Sequence, residues 1–491
     1  MTAIGRFALK SETISNPSIP TFFIALSNNN TKKDQSSSLS LEELEQTWKS
    51  KKMFEKHPRF SYCISKDYFF HTKHPFSIHL IDYMKESMHY SVYRNDLRMK
   101  IENMLLHPLD LSNHGLWEGY VSSGTLGSSG AIPFSTVKLL KEQGGEDLKE
   151  TVILFRAHHS MADGVSLANV ITDISDESEM IQGQVSALFK KQKKKQSFWE
   201  RLTRFLYKLI HFWIFGSMKA LVYHGYLLLT TNAIPHSDAV TRSVSWCNAA
   251  PVEEVKQIIQ MLAPGTTIND VFVSCVSAAI LQQMKENQKV NDTTNNRALP
   301  PSMNIVIPVH LTGGIVPPGE SMGNRIGAMV VNVPGNTNNI NTPLERLTKV
   351  SQSINTLKST PSPFLSYHLA KLFSIFSSDN NNNNNNNALT QKIIQYSNAN
   401  SLCVISNVRG PTFPLHIQGK EIHSMVGFLP LPPGIPIGVV VQSYNGMISL
   451  SVTSSCEEII PDVDRFLRLV LMEYGKLFGM ARERQMAGVK V

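Results

Sequence analysis

The spacing of apolar positions changes period several times along this chain, and each change predicts an element. In "SLSLEELEQTWKSKKMF" Ser40 stands three residues before Glu43, a pattern in which hydroxyl and carboxylate satisfy each other's free backbone N–H groups, so a helix is expected from Leu41. In "HPRFSYCIS" Pro58 ends helical continuation, and the aromatic and β-branched residues after it predict an extended segment. "TVILF", residues 151–155, is short, β-branched and bounded by polar sequence, as expected of a buried strand. Directly beyond it, Val165, Leu167, Ala168, Val170 and Ile171 take helical spacing, with Gly164 expected to free the backbone for the turn between the two elements.

The second half continues in the same mixed manner. Ile268, Val271, Phe272, Cys275, Val276, Ala279 and Ile280 form a helical stripe behind a threonine cap, with Asn269 and Asp270 in its first turn. "MNIVIPVHL", "GAMVVNVP" and "SLCVISNV" predict strands, and "GVVVQSYNGMISLSV" predicts a hairpin around Asn445-Gly446, a pair suited to a type I′ turn. A last helix is expected from Pro461, its apolar face running from Val463 and Phe466 to Leu477 and Phe478. Helices and strands mix without regular βαβ alternation, which favours an α+β fold with mixed sheets over a doubly wound one.

Between the halves the character differs. "KKQKKKQSFWERLTRFLYKLIHFWIFGSMKALVYHGYLLLTTNAI" opens with five lysines in six positions and then turns apolar, but Lys208, His211, Lys219 and His224 interrupt any window of the roughly 18 to 20 apolar residues that a spanning helix needs. A helix lying on an anionic membrane surface suits this pattern; a solvated linker leading into a buried interdomain helix is the alternative. The resulting organisation is an N-terminal domain over 1–180, a basic and apolar segment over 181–242, and a C-terminal domain over 243–491. The asparagine tract at 380–387 is read as a surface insertion without chemistry.

Length supports this division, since 491 residues exceed one ordinary core. A net charge of +8 favours anionic partners, phosphorylated cosubstrates and acidic lipid surfaces among them. The lysines are clustered beside apolar sequence and match none of the usual nucleic-acid modules, so no nucleic acid is expected. Five scattered cysteines with no CxxC pair predict neither a zinc cage nor a disulfide framework, and a reducing, cytosol-facing setting. The first residues lack the pattern of a secretory signal.

The chemistry concentrates in "RAHHSMADGVSL", residues 156–167. Its His158, His159, Asp163 and Gly164 match the HHxxxDG hallmark of the bifunctional wax ester synthases/diacylglycerol acyltransferases, which this chain resembles. "HPRF" at 57–60, "LDLSNHGLWEGYV" at 109–121, "IND" at 268–270, "GNRIG" at 323–327 and "SNVRGP" at 406–411 extend the resemblance in the same order. Gly115 stands where the family usually has proline, Arg409 replaces another frequent proline, and the family's usual segment before the first helix has no clear counterpart.

The resemblance implies two chloramphenicol acetyltransferase-like domains, each a mixed sheet flanked by helices, with a tunnel between them. It implies acyl transfer from acyl-CoA to a long-chain alcohol or diacylglycerol, with no cofactor besides that cosubstrate. Such lipid acceptors place the protein on a membrane or lipid-droplet surface, on the cytosolic face of the endoplasmic reticulum, a droplet or the plasma membrane. Competing readings are another HxxxD acyltransferase acting on a different alcohol or amine, and a non-catalytic lipid-binding relative.

Each residue also carries its own physical reading. Attack of a hydroxyl on a thioester requires a base that is neutral near pH 7, and an imidazole with a pKa of about 6.5 serves. His159 is assigned that role and would afterwards protonate the departing thiolate. Ser160 and Cys403 as nucleophiles are disfavoured because neither sits in a GxSxG-like elbow. His158 is an orienting or packing residue. Asp163 either orients the base or holds the loop by pairing with an arginine; the second is favoured because an aspartate before a turn glycine commonly stabilises local backbone, and Arg325 is the candidate partner. Asn269 either meets the developing oxyanion at a helix start or forms a plain capping pair with Asp270. Asn407 lines the channel or simply precedes the strand exit made by Gly410 and Pro411. Trp117 is expected in the core. Adjacent histidines on a strand face opposite ways and cannot easily share a metal, so no metal is expected.

Overall fold

The computed structural model describes residues 3–12, 16–27, 39–65, 68–71, 78–80, 90–111, 115–125, 149–191, 203, 208–229, 241–290, 299–314, 322–336, 340, 342–376, 398 and 400–488. Its strands are β1 (Thr21–Ser27), β2 (Tyr62–Ser65), β3 (Tyr68–His71), β4 (Ile78–Leu80), β5 (Trp117–Thr125), β6 (Lys149–Ala157), β7 (Ser243–Pro251), β8 (Ser302–His310), β9 (Ile326–Pro334), β10 (Cys403–Arg409), β11 (Leu415–Ile417), β12 (Lys420–Phe428), β13 (Ile437–Tyr444) and β14 (Met447–Ser454). The helices are α1 (Ala3–Ser11), α2 (Leu41–Ser50), α3 (Met53–Lys56), α4 (Tyr90–Leu106), α5 (Gly164–Ile174), α6 (Ser178–Lys191), α7 (Gly216–Leu229), α8 (Val252–Leu262), α9 (Ile268–Val290), α10 (Pro343–Lys358), α11 (Ser362–Phe376) and α12 (Val463–Met486).

Local signals account for many of these boundaries. The Ser40 hydroxyl accepts from the Glu43 N–H at 3.1 Å while Glu43 accepts from the Ser40 N–H at 2.8 Å, the reciprocal cap that starts α2. Asn445 and Gly446 have φ of 45° and 75° and join paired Tyr444 and Met447, so β13 and β14 close on a type I′ turn. Two expectations shift. Residues Pro58–Ser61 form a 3-10 turn before extension begins at Tyr62, because proline at the first position of a turn has its φ already set. The last helix starts at Val463, where Asp462 caps the Arg465 N–H at 2.9 Å.

Twelve of these strands assemble two mixed six-stranded sheets, ordered β11-β12-β1-β6-β5-β4 and β7-β14-β13-β10-β8-β9, and β2 and β3 pair with each other. Residues placed with the C-terminal domain thus cross over: β12 pairs antiparallel with β1, from Thr21 opposite Phe428 to Leu26 opposite Ile422. The physical reason lies in β1, whose Phe23, Ile24, Ala25 and Leu26 are all buried, so both faces and both edges need partners. One face of the first sheet packs Trp48, Phe60, Trp117 and Phe155. Trp117 is core as expected, stacked 5.1 Å from Trp48 with its indole N–H on the Phe60 carbonyl. The second sheet buries its core against α8, α9, α10 and α12.

Strand β9 is the edge of the second sheet, and two outward N–H groups on it are capped by side chains. The Ala328 N–H donates to Ser366 Oγ of α11 at 2.7 Å, and the Asn332 N–H donates to the Tyr223 hydroxyl of α7 at 2.7 Å. Gly327 permits the approach of α11, because a Cβ there would lie 1.8 Å from the Pro363 carbonyl oxygen. Helix α7 continues from a π-helical stretch over Lys208–Phe215. No helix among the described residues is long and apolar enough to cross a membrane. The lysines at 193–195 and the asparagine tract at 380–387 lie outside the described residues.

Candidate active site

Strand β6 ends at Ala157, and the chain beyond it is held by backbone hydrogen bonds. The Ala157 N–H donates to the Pro20 carbonyl, that of His158 to Leu116 and that of His159 to Ser18, at 3.2, 2.7 and 2.8 Å. The two histidines therefore lie in the turn past the strand, not on it, and their rings are separated by their partners. His158 is buried. Its Nδ1 accepts the Ser160 N–H at 3.0 Å, which leaves the proton on Nε2, 2.9 Å from a Glu12 carboxylate oxygen. Glu12 also accepts the Ser18 N–H, so His158 ties the loop to the segment that precedes β1.

His159 is oriented by an asparagine from the other half of the chain. Asn324 Nδ2 donates to the His159 carbonyl oxygen at 2.6 Å, which turns Asn324 Oδ1 toward His159 Nδ1 at 3.2 Å. An amide oxygen can only accept, so Nδ1 carries the proton and the lone pair is on Nε2. Burial holds the imidazole below its ordinary pKa, with the charge of Asp163 acting in the opposite direction. The ring is therefore neutral at pH 7, in the tautomer that leaves Nε2 able to take a proton.

Asp163 is fully buried and caps α5, with Oδ1 accepting the Ser166 N–H at 2.8 Å. Its Oδ2 accepts the Arg325 N–H at 2.9 Å, and His310 Nε2 lies 3.5 Å away. This corrects the expected pairing with Arg325, which reaches the carboxylate through its backbone while His310 supplies the facing ring. The Gly314 N–H donates to His310 Nδ1 at 3.3 Å, so the ring proton is on Nε2, toward Asp163. Burial by itself would raise the Asp163 carboxyl, yet these donors outweigh it and leave it below its ordinary value.

The segment Gly323-Asn324-Arg325 thus clamps the histidine loop across the two halves. The Asp163 N–H and the Ser166 hydroxyl both donate to the Gly323 carbonyl, at 3.1 and 3.0 Å. Arg59 of the "HPRF" stretch closes the other side, donating to the Met161 carbonyl at 2.5 Å. Gly164 does not make the turn: it is the first residue of α5, and a Cβ there would meet no protein atom within 4 Å. Residues 158–161 turn the chain instead.

The remaining candidates stand apart. Asp270 is buried in a capping arrangement, accepting from the Thr267 N–H at 3.0 Å and the Ser351 hydroxyl at 3.1 Å, with Lys358 Nζ at 3.7 Å. Asn269 is in the same first turn, and its Oδ1 is shielded from solvent with no hydrogen-bond partner among the described residues. Asn407 is exposed on β10, the strand against which α5 packs. No hydrogen bond or ion pair joins these three to the histidine loop among the described residues. Cys403 is buried and its thiol is pushed well above the usual range by burial, which removes it as a nucleophile. Ser160 is buried, its hydroxyl 2.7 Å from a His158 Nδ1 that already accepts the Ser160 N–H.

Reading the sequence for site residues missed Asn324, His310, Glu12 and Arg59. Asn324 and Arg59 lay inside the quoted stretches "GNRIG" and "HPRF", but nothing in the sequence placed them on the loop. His310 and Glu12 carry no local signal at all.

Comparison with known proteins bears on the fold and on the likeness to a family. Residues 322–477, which include the Asn324 clamp, match the WS/DGAT C-terminal domain. A stretch of 214 residues is 25% identical to the probable diacylglycerol O-acyltransferase Tgs4 of Mycobacterium tuberculosis, covering 43% of this chain and 40% of that one. The chain thus spans two fifths of the length of the curated relatives it matches. Among solved structures, the wax ester synthase/diacylglycerol acyltransferase of Marinobacter aquaeolei VT8 superposes with a TM-score of 0.56 over 98% of this chain and 100% of that one, at 14% identity. TRI3 trichothecene 15-O-acetyltransferase of Fusarium sporotrichioides gives 0.59 over 97% and 94%, at 13% identity. These likenesses establish the two-domain α+β fold with mixed sheets flanked by helices, and residues 322–477 are similar to the WS/DGAT C-terminal domain.

Proposed function

We propose that this chain transfers an acyl group from acyl-CoA to the hydroxyl of a lipid alcohol, forming wax esters from long-chain alcohols, triacylglycerol from diacylglycerol, or both. The observation that carries the reading is the His159–Asn324 pair, which leaves a neutral ring with its lone pair on Nε2. In the proposed step the hydroxyl oxygen attacks the thioester carbonyl carbon while Nε2 takes the hydroxyl proton. Collapse of the tetrahedral intermediate breaks the C–S bond, and the sulfur leaves with the proton from Nε2, so ester and free CoA form without an acyl-enzyme. Asn269, whose Oδ1 has no hydrogen-bond partner among the described residues, and Asn407 on β10 are the candidates for further contact with the reacting groups. The basic surplus of the chain suits the CoA phosphates.

A long-chain acceptor is collected from a lipid surface, which places the working protein on the cytosolic face of the endoplasmic reticulum or on a lipid droplet. The test is expression in a host lacking its own neutral-lipid synthases, with and without added fatty alcohol, and identification of the lipid that accumulates. Wax ester, triacylglycerol or both should appear with the parent chain and vanish with His159→Ala; most of the parent turnover remaining in purified His159→Ala would remove the base assignment. A second reading, O-acyl transfer to a different alcohol, is favoured by the fold likeness to the trichothecene acetyltransferase. It predicts no neutral lipid and turnover on a soluble alcohol.

A further inference from the structure

The described residues with large exposed apolar side chains are concentrated in one place. Leu209, Ile210, Trp213, Ile214 and Phe215 of the π-helical stretch, and Met218, Leu221, Val222 and Tyr226 of α7, are exposed, Leu221 and Val222 by 71% and 74%. Leu369 and Leu372 of α11 add 52% and 46%. These segments touch: the Phe364 ring lies 6.2 Å from Phe212 and 5.8 Å from Trp213, and Gly216 faces Pro361. A contiguous apolar surface of this size marks an interaction site. Its charge selects the partner. Lys208–Leu229 and Ser362–Phe376 contain Lys208, Lys219 and Lys371 and no aspartate or glutamate. Two segments with exposed apolar side chains and only basic charge complement an anionic lipid surface, and no helix among the described residues is long and apolar enough to cross one.

The surface is also coupled to the site. Both α7 and α11 are fastened to β9, at Asn332 and at Gly327 and Ala328, and Gly327 follows Asn324 by three residues, about 10 Å of extended chain. We infer that α7 and α11, carried by β9, form one platform that seats the protein on anionic phospholipid and admits the lipid alcohol toward His159 from that side. This rests on the acyltransferase reading above for the identity of the substrate, and on the exposed surface alone for the docking.

The test uses the full chain, two paired variants, Leu369→Glu/Leu372→Glu and Leu221→Glu/Val222→Glu, and Met486→Glu as an exposed control outside the platform. Flotation is measured with phosphatidylcholine vesicles with and without phosphatidylserine, and turnover with a short soluble alcohol and with a long-chain alcohol held in those vesicles. The parent should float better with phosphatidylserine. Each paired variant should lose roughly tenfold or more in flotation and in turnover of the vesicle-held alcohol, with turnover of the soluble alcohol and the thermal midpoint unchanged. Unchanged flotation of both paired variants would overturn the inference, as would a parent dimer that these variants dissociate without loss of flotation, which would make a second copy the partner. Equal binding to both vesicle types would remove the choice of an anionic surface. Loss of flotation with no parent turnover on either alcohol supports the docking surface and sinks the acyltransferase reading instead.

Discussion

Asn324 holds His159 at two points, accepting from the ring Nδ1 at 3.2 Å and donating to the residue's own carbonyl at 2.6 Å. The double contact fixes ring rotation and tautomer together, and a single amide can do this only because the two donors and acceptors alternate. Asn324→Ala should lower kcat by about 10- to 100-fold with little change in KM, since the ring remains but its productive tautomer is no longer selected. Steady-state kinetics on purified protein check this, and an equal fall in binding and turnover would point to misfolding instead.

The same pair sets the pH profile. Burial keeps the His159 pKa below its ordinary value, so kcat/KM should stay flat through neutrality and fall only on the acid side of about pH 6.5. Asn324→Asp puts a carboxylate against Nδ1, favours the imidazolium and should move that acid limb to higher pH. A limb that stays in place in this variant would show that another group is being titrated.

Asp163 links acid stability to the domain clamp. Its carboxyl, like those of Asp173 and Glu177, is held below its ordinary pKa by donors that outweigh burial. The folded form then binds fewer protons than the unfolded chain, so the stabilisation is complete above the unfolded carboxylate range and is lost as pH falls through the lowered values. Chemical denaturation should show a stability that declines progressively below about pH 4. Asp163→Asn should lower stability by roughly 3 kcal/mol at pH 7 and flatten the acid decline, because it leaves buried donors facing an amide. An Asp163→Asn protein as stable as the parent would show that the carboxylate orients the base rather than holding the loop.

Ser160 tests whether an acyl-enzyme forms. Its backbone N–H already occupies the lone pair of His158 Nδ1, so the hydroxyl has no free base. Ser160→Ala should keep turnover within about threefold of the parent, as expected of a change at a position that packs and does not react. A loss of 100-fold or more with unchanged stability would reinstate a covalent route.

Gly327 tests the attachment of α11. A methyl there would meet the Pro363 carbonyl carbon and oxygen, which are backbone atoms with no rotamer to change. Gly327→Ala should cost about 2 to 3 kcal/mol in unfolding experiments, as overpacking typically does, and should loosen α11. Unchanged hydrogen exchange at α11 in this variant would show that the helix is held from elsewhere.

What the sequence determined by itself was local. Capping at Ser40 and Thr267, the turn at Asn445-Gly446, the apolar stripe of α12 and the placing of His158 and His159 at the end of a buried strand all rest on interactions within a few residues, and these are legible from spacing. The mixed α+β character followed from the same periodicities.

Only the tertiary structure decided the pairings between distant parts of the chain. That β12 completes the sheet of β1, that Asn324 sets the His159 tautomer, and that His310 rather than the Arg325 side chain faces Asp163 each depend on contacts across well over a hundred residues. Hydrophobic pattern specifies which face of an element is buried but carries no record of the partner, because burial is non-directional. Hydrogen-bond geometry chooses the partner, and it exists only once both halves have folded against each other.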